Sequence, residues 1–88
     1  MFSKEATVMK GIFLKRPTAI VQTAYKFCSD IWIEKNDKKV NAKKLLDIMN
    51  ISIKGGDKIT FTANGEDEIQ AIEALVNLVT NDYLLDIF

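Results

Sequence analysis

Ile59-Thr60-Phe61-Thr62-Ala63-Asn64-Gly65-Glu66-Asp67-Glu68-Ile69 reads as a strand, a turn and the opening of a helix. Ile59, Phe61 and Ala63 share one face and Thr60 and Thr62 the other. That alternation describes a strand covered on one side and wet on the other. Asn64-Gly65 turns the chain. Glu66-Asp67-Glu68 then places acids in a helix first turn, where the dipole favours them. Ile69, Ile72, Leu75, Val76 and Val79 carry an apolar stripe onward. A strand apolar on only one side needs its roof of helices on that side alone.

Upstream, Gly55-Gly56-Asp57 is a loop, and Leu45, Leu46, Ile48, Met49 and Ile51 form a short helix. A helix this short in so small a domain cannot bury all five, so one or two are expected to face water. Ile31-Trp32-Ile33 and Lys38–Val40 form a hairpin turned at Asn36-Asp37. Trp32, between two inward residues, is expected on the open face near Thr60 and Thr62, as an interface anchor or as a local cover of the sheet. Pro17 suits a helix first turn, and Ile20, Val21, Ala24, Phe27 and Cys28 make Pro17–Cys28 amphipathic. Cys28, closing that stripe, is expected to be buried. Glu5–Met9 is a first strand, with Ala6 and Val8 on one face, ended by Lys10-Gly11. The order is β-α-β-β-α-β-α. It describes an α+β two-layer sandwich with one open sheet face, which pattern alone does not separate from a ferredoxin-like arrangement.

Composition narrows the chemistry. The 88 residues are enough for one small domain. The sequence contains no histidine, which removes His general acid–base catalysis, His-activated nucleophiles and His-ligated metals. The single cysteine removes paired-Cys zinc motifs and an internal disulfide. No metal and no cofactor is expected. No apolar run reaches the ~20 residues of a membrane span, and no signal-peptide core opens the chain. The reading is a soluble cytoplasmic protein without a membrane or nucleic-acid partner. Net charge is zero, but residues 1–58 hold all twelve Lys and Arg against six acids, a net +6, and residues 59–88 carry a net −6. Such separation steers partners toward one face. Residues 1–80 are read as the domain and 81–88 as an apolar extension. Its Tyr83, Leu84, Leu85, Ile87 and Phe88 are expected either to fold back over Trp32 or the helix layer, or to form a dimer contact.

Arg16-Pro17-Thr18-Ala19, Val21-Gln22-Thr23-Ala24, Lys39-Val40-Asn41-Ala42-Lys43, Ile48-Met49, Asp57-Lys58-Ile59-Thr60 and Asn64-Gly65-Glu66-Asp67-Glu68 together resemble the HPr family. These are the histidine-containing phosphocarriers of the bacterial phosphoenolpyruvate:sugar phosphotransferase system. The likeness spans residues 5–80 and implies an HPr-like four-stranded antiparallel sheet covered on one face by three helices. In the family the phosphoacceptor histidine stands two residues before the Arg-Pro pair, where helix amides and the arginine hold the phosphoryl oxygens. Counting back from Arg16-Pro17, that place is Leu14. Counting forward from Gly11, across a stretch one residue longer than in HPr, it is Phe13. Neither side chain accepts a phosphoryl group. The family's regulatory serine, at the start of the second helix, corresponds to Lys44, which has no hydroxyl. A related regulator in the family lacks the histidine but keeps that serine, and this sequence departs from both patterns.

Arg16, Pro17 and Thr18 remain as a degenerate anion cradle or an ordinary helix start. Leu45, Leu46 and Met49 match the apolar patch by which HPr docks to its partners, and Phe13, Leu14, Lys15 and Arg16 are expected to complete a partner-binding face rimmed by Lys43 and Lys44. The expected protein is not an enzyme but a non-catalytic protein-binding or regulatory module. Its partner would be a phosphotransferase-system component or a regulator that reads HPr. The alternatives are a structural module that oligomerises through its tail, and a phosphocarrier with a non-histidine acceptor, for which only Thr18 is near the cradle. Both a monomer and a tail-mediated dimer fit the sequence.

Overall fold

The computed structural model describes residues 1–8 and 17–80. Its elements are β1 (Phe2–Thr7), α1 (Pro17–Ala24), β2 (Asp30–Lys35), β3 (Lys38–Asn41), α2 (Leu45–Ile51), β4 (Lys58–Asn64) and α3 (Glu68–Thr80). The strands form one antiparallel sheet in the order β1-β4-β2-β3. α3 lies against β1 and β4, α2 against β3, and α1 between the other two helices. This is the α+β open-faced sandwich that the sequence implied.

The alternation in β4 sets the core. Ile59, Phe61 and Ala63 are buried, and their register partners Ala6, Ile31 and Ile33 are buried beside them. Ile20 and Ala24 of α1, Ile48 and Ile51 of α2, and Ala71, Ile72, Leu75 and Val79 of α3 close the roof. Fully burying one such aliphatic or aromatic side chain contributes about 1.5–3 kcal/mol, so these apolar faces supply the main driving force for the layer.

Several expectations change. β1 begins at Phe2 rather than Glu5 and ends at Thr7 rather than Met9, because it pairs with β4 from Phe2↔Ala63 to Thr7↔Lys58. Backbone pairing with β4 from Lys58 to Ala63 outweighs the polar Ser3-Lys4-Glu5 run. α1 stops at Ala24, not Cys28. The chain tightens there into shorter-range bonds, Lys26 N to Thr23 O at 3.1 Å and Phe27 N to Ala24 O at 3.2 Å. Phe27 still packs on the core, but Cys28 is exposed rather than buried.

Thr62, expected on a wet face, is buried. It lies across from Trp32 on one side and Ser3 on the other, and its hydroxyl is 2.9 Å from Ser3 Oγ. Ile69, expected within the α3 stripe, is 52% exposed. The buried stripe centres on Ile72, Leu75 and Val79, and at about 100° per residue Ile69 falls about a quarter turn to its side. The apolar extension 81–88, with its expected covering or dimer role, lies outside the described residues, as do Met9 and Lys10.

Candidate docking face

α2 presents the clearest unsatisfied apolar surface among the described residues. Ile48 and Ile51 are buried, Leu45 is half-buried, and Leu46 and Met49 are 73% and 54% exposed. Positions 46 and 49 are one helical turn apart and share a face. The expectation that one or two of the five apolar residues face water therefore resolves to Leu46 and Met49.

The start of α2 is built without a side-chain cap. Lys44 is its N-cap residue, extended at φ −114° and ψ 112°, and its side chain makes no capping hydrogen bond. Lys44 is exposed, so its charge stands at the rim of the apolar pair. Lys43, expected in the same rim, is half-buried and committed elsewhere. Its Nζ donates to the Phe27 carbonyl at 2.9 Å, and its amide donates to Asn41 Oδ1 at 2.8 Å. This joins the α1–β2 connection to the start of α2. That connection carries two exposed residues that pattern reasoning passed over, Tyr25 (67% exposed) and Lys26. A tyrosine one residue past the end of an amphipathic helix leaves no periodic signal.

Pro17 is the first residue of α1, half-buried, and Thr18 beside it is exposed. The rest of the expected cradle and docking set, Phe13, Leu14, Lys15 and Arg16, lies outside the described residues. Trp32 is half-buried, with Lys39 Nζ 5.3 Å from its ring centroid. This is cation–π geometry, and it fits a ring that covers the sheet locally. Glu66, just before α3, and the exposed Ile69, Gln70 and Glu73 on α3 carry part of the negative half of the charge split.

Three carboxylates are held ionised. Asp67 accepts from Cys28 N at 2.8 Å, Ser29 N at 3.0 Å and Ser29 Oγ at 2.5 Å. The Ser29 hydroxyl, then the Cys28 amide, lower its pKa below the ordinary 3.8. Asp57 is lowered first by Lys35, then by the Lys54 amide, and Glu68 first by the Gly65 amide. Each of the three is committed to its own partners at the edge of an element. Among the described residues no cluster of three or more His, Cys, Asp or Glu could hold a metal, and no helix is long and apolar enough to cross a membrane.

Comparison with known proteins adds a family match and close relatives. The family model described as "PTS HPr component phosphorylation site" matches residues 5–81. HPr-like protein Crh of Bacillus subtilis is 43% identical over 68 residues, 76% of this chain and 80% of that protein. HPr-like protein Crh of Halalkalibacterium halodurans is 44% identical over 84 residues, 93% of this chain and all of the relative. Among solved structures, HPr-C-His from Thermoanaerobacter tengcongensis superposes with a TM-score of 0.85 at 39% identity, over 91% of this chain and 92% of its own.

Proposed function

This chain belongs to the HPr family, and from that premise we propose that it serves as a protein-docking module rather than a phosphoryl carrier. The observation that carries the reading is a pairing of loss and retention. The sequence has no histidine to accept a phosphoryl group, while α2 keeps an exposed Leu46 and Met49 beside an exposed Lys44. Apolar side chains rimmed by charge are the ordinary anatomy of a protein interface. Leu46 and Met49 would fill a shallow apolar depression on the partner. Lys44 would speed encounter with an acidic surface more than it would deepen the complex.

The partner class is a phosphotransferase-system component or a regulator that normally reads HPr, in the cytoplasm. Phe13, Leu14, Lys15 and Arg16 complete the proposed face, and Leu45 backs it from the half-buried side. Leu14 or Phe13 at the phosphoacceptor place, and Lys44 at the regulatory-serine place, make the module independent of both phosphorylation signals. The chain then has no catalytic role.

Affinity capture from the host lysate, comparing wild type with Met49→Glu, tests the reading. Proteins held by wild type and lost on the substitution place docking on α2. A partner set unchanged by Met49→Glu overturns the proposed face.

A further inference from the structure

We propose that Lys35 is the positioning residue of the docking helix, cross-tying the C-terminal end of α2 to the loop that anchors the end of β1. The proposal takes from the docking reading only what α2 is for. A helix leaves its last carbonyls without intrahelical partners, and a cation there also offsets the dipole. α2 has no basic residue in its own last turn. Lys35, the last residue of β2, supplies one from outside. Its ammonium donates to the Ser52 carbonyl at 2.8 Å and the Ile51 carbonyl at 3.3 Å. The same Nζ lies 2.8 Å from Asp57 Oδ2. An ammonium has three protons, and here each has an acceptor.

Asp57 passes the restraint on. Its Oδ2 also accepts the Lys54 amide at 2.7 Å, closing the loop back on itself. Its carbonyl accepts Val8 N at 2.8 Å, and Gly56 N donates to the Val8 carbonyl at 2.7 Å. One ion pair therefore joins the end of β2, the end of α2 and the residue that follows β1. The side chains of Lys35 and Asp57 are 16% and 25% exposed, so solvent and salt screen them less than a fully exposed pair. α2 is held to the core by two buried residues, Ile48 and Ile51. A fixed C-terminal end therefore decides how Met49 is presented.

The test uses amide hydrogen exchange on the free, full-length protein. The Ser52 amide is bonded to the Met49 carbonyl and the Val8 amide to Asp57, so both report the clamp. Lys35→Met is expected to speed exchange at Ser52 and Val8 together by about tenfold, as local opening does, while the β4 amides at the sheet centre hold. Asp57→Asn should do the same, the double variant should add little to either, and Lys35→Arg should retain protection. Should Lys35→Met fail to fold, Asp57→Asn, which keeps size and removes only charge, gives the same readout. Unchanged exchange at Ser52, or effects of the two substitutions that simply sum, overturns the clamp. Because no partner is present, this result stands apart from whether anything docks on Leu46 and Met49.

Discussion

Ser29 and Asp67 are tied twice: the Ser29 amide and the Ser29 hydroxyl both donate to Asp67 Oδ1, at 3.0 and 2.5 Å. The Cys28 amide takes the other carboxylate oxygen at 2.8 Å. The Asp67 carbonyl meanwhile accepts Ala71 N at 2.9 Å, the first turn of α3. One residue thus starts the last helix and anchors the chain entering β2. Ser29 is almost fully buried, so its hydroxyl needs this partner.

Acid should loosen the junctions at Asp67, Asp57 and Glu68. All three have folded pKa values lowered from ordinary values of 3.8, 3.8 and 4.5. Their contribution is present above the unfolded pKa values and is lost as pH falls through the lowered ones. The melting temperature should therefore hold from neutral pH to about pH 5 and fall progressively below it. Asp67→Asn should lower the plateau and flatten that acid limb. Melting curves collected against pH check both, and an acid limb of unchanged steepness in Asp67→Asn would contradict the assignment.

Gly65 should not tolerate a side chain. A Cβ there would stand 2.7 Å from Ser29 Cα, backbone that cannot swing aside. Gly65→Ala should cost about 1–3 kcal/mol by overpacking, measured by denaturant unfolding against wild type. The strain should appear at Ser29, as altered Cys28 and Ser29 amide shifts.

Lys44 is a poor residue for its position. The N-cap of α2 makes no side-chain hydrogen bond, and serine or aspartate at an N-cap is worth about 0.5–2 kcal/mol over residues that cannot cap. Lys44→Asp should raise the unfolding free energy, read from denaturant curves, by an amount in that range, helped by removing a cation from the positive end of the dipole. An unchanged or lowered unfolding free energy would show that Lys44 makes a stabilising contact of its own.

Much of the fold is legible in the residues themselves. The alternation Ile59-Phe61-Ala63 identifies the buried side of β4, and Asn64-Gly65 and Asn36-Asp37 mark the turns. That α2 leaves apolar residues outside follows from its shortness. Cys28 and Thr62 depart from their patterns for one reason: helical and strand periods describe an element's own faces, not where a neighbour cuts it short or covers it. Asp67 draws the chain at Cys28 away from α1, and Ser3 and Trp32 close over Thr62. The Lys35–Asp57 pair joins residues distant in sequence and leaves no local signal.

The docking face and the core should separate under mutation. Met49→Glu and Leu46→Glu alter exposed positions and should change stability by no more than about 0.5 kcal/mol. Ile48→Ala, one residue from Met49 but buried, should cost about 2–5 kcal/mol. Chemical denaturation of the three variants checks this. A large loss in Met49→Glu would mean that the residue packs inward and is no docking contact.

A chain that docks without carrying phosphate gains no mass from a phosphoryl donor. The direct measurement is the mass of the intact protein after incubation with enzyme I and phosphoenolpyruvate, with an HPr that has its histidine as positive control. The mass of this chain should stay unchanged while the control gains a phosphoryl group. A stable phosphoryl adduct on this chain, at Thr18 or any other residue, would contradict it.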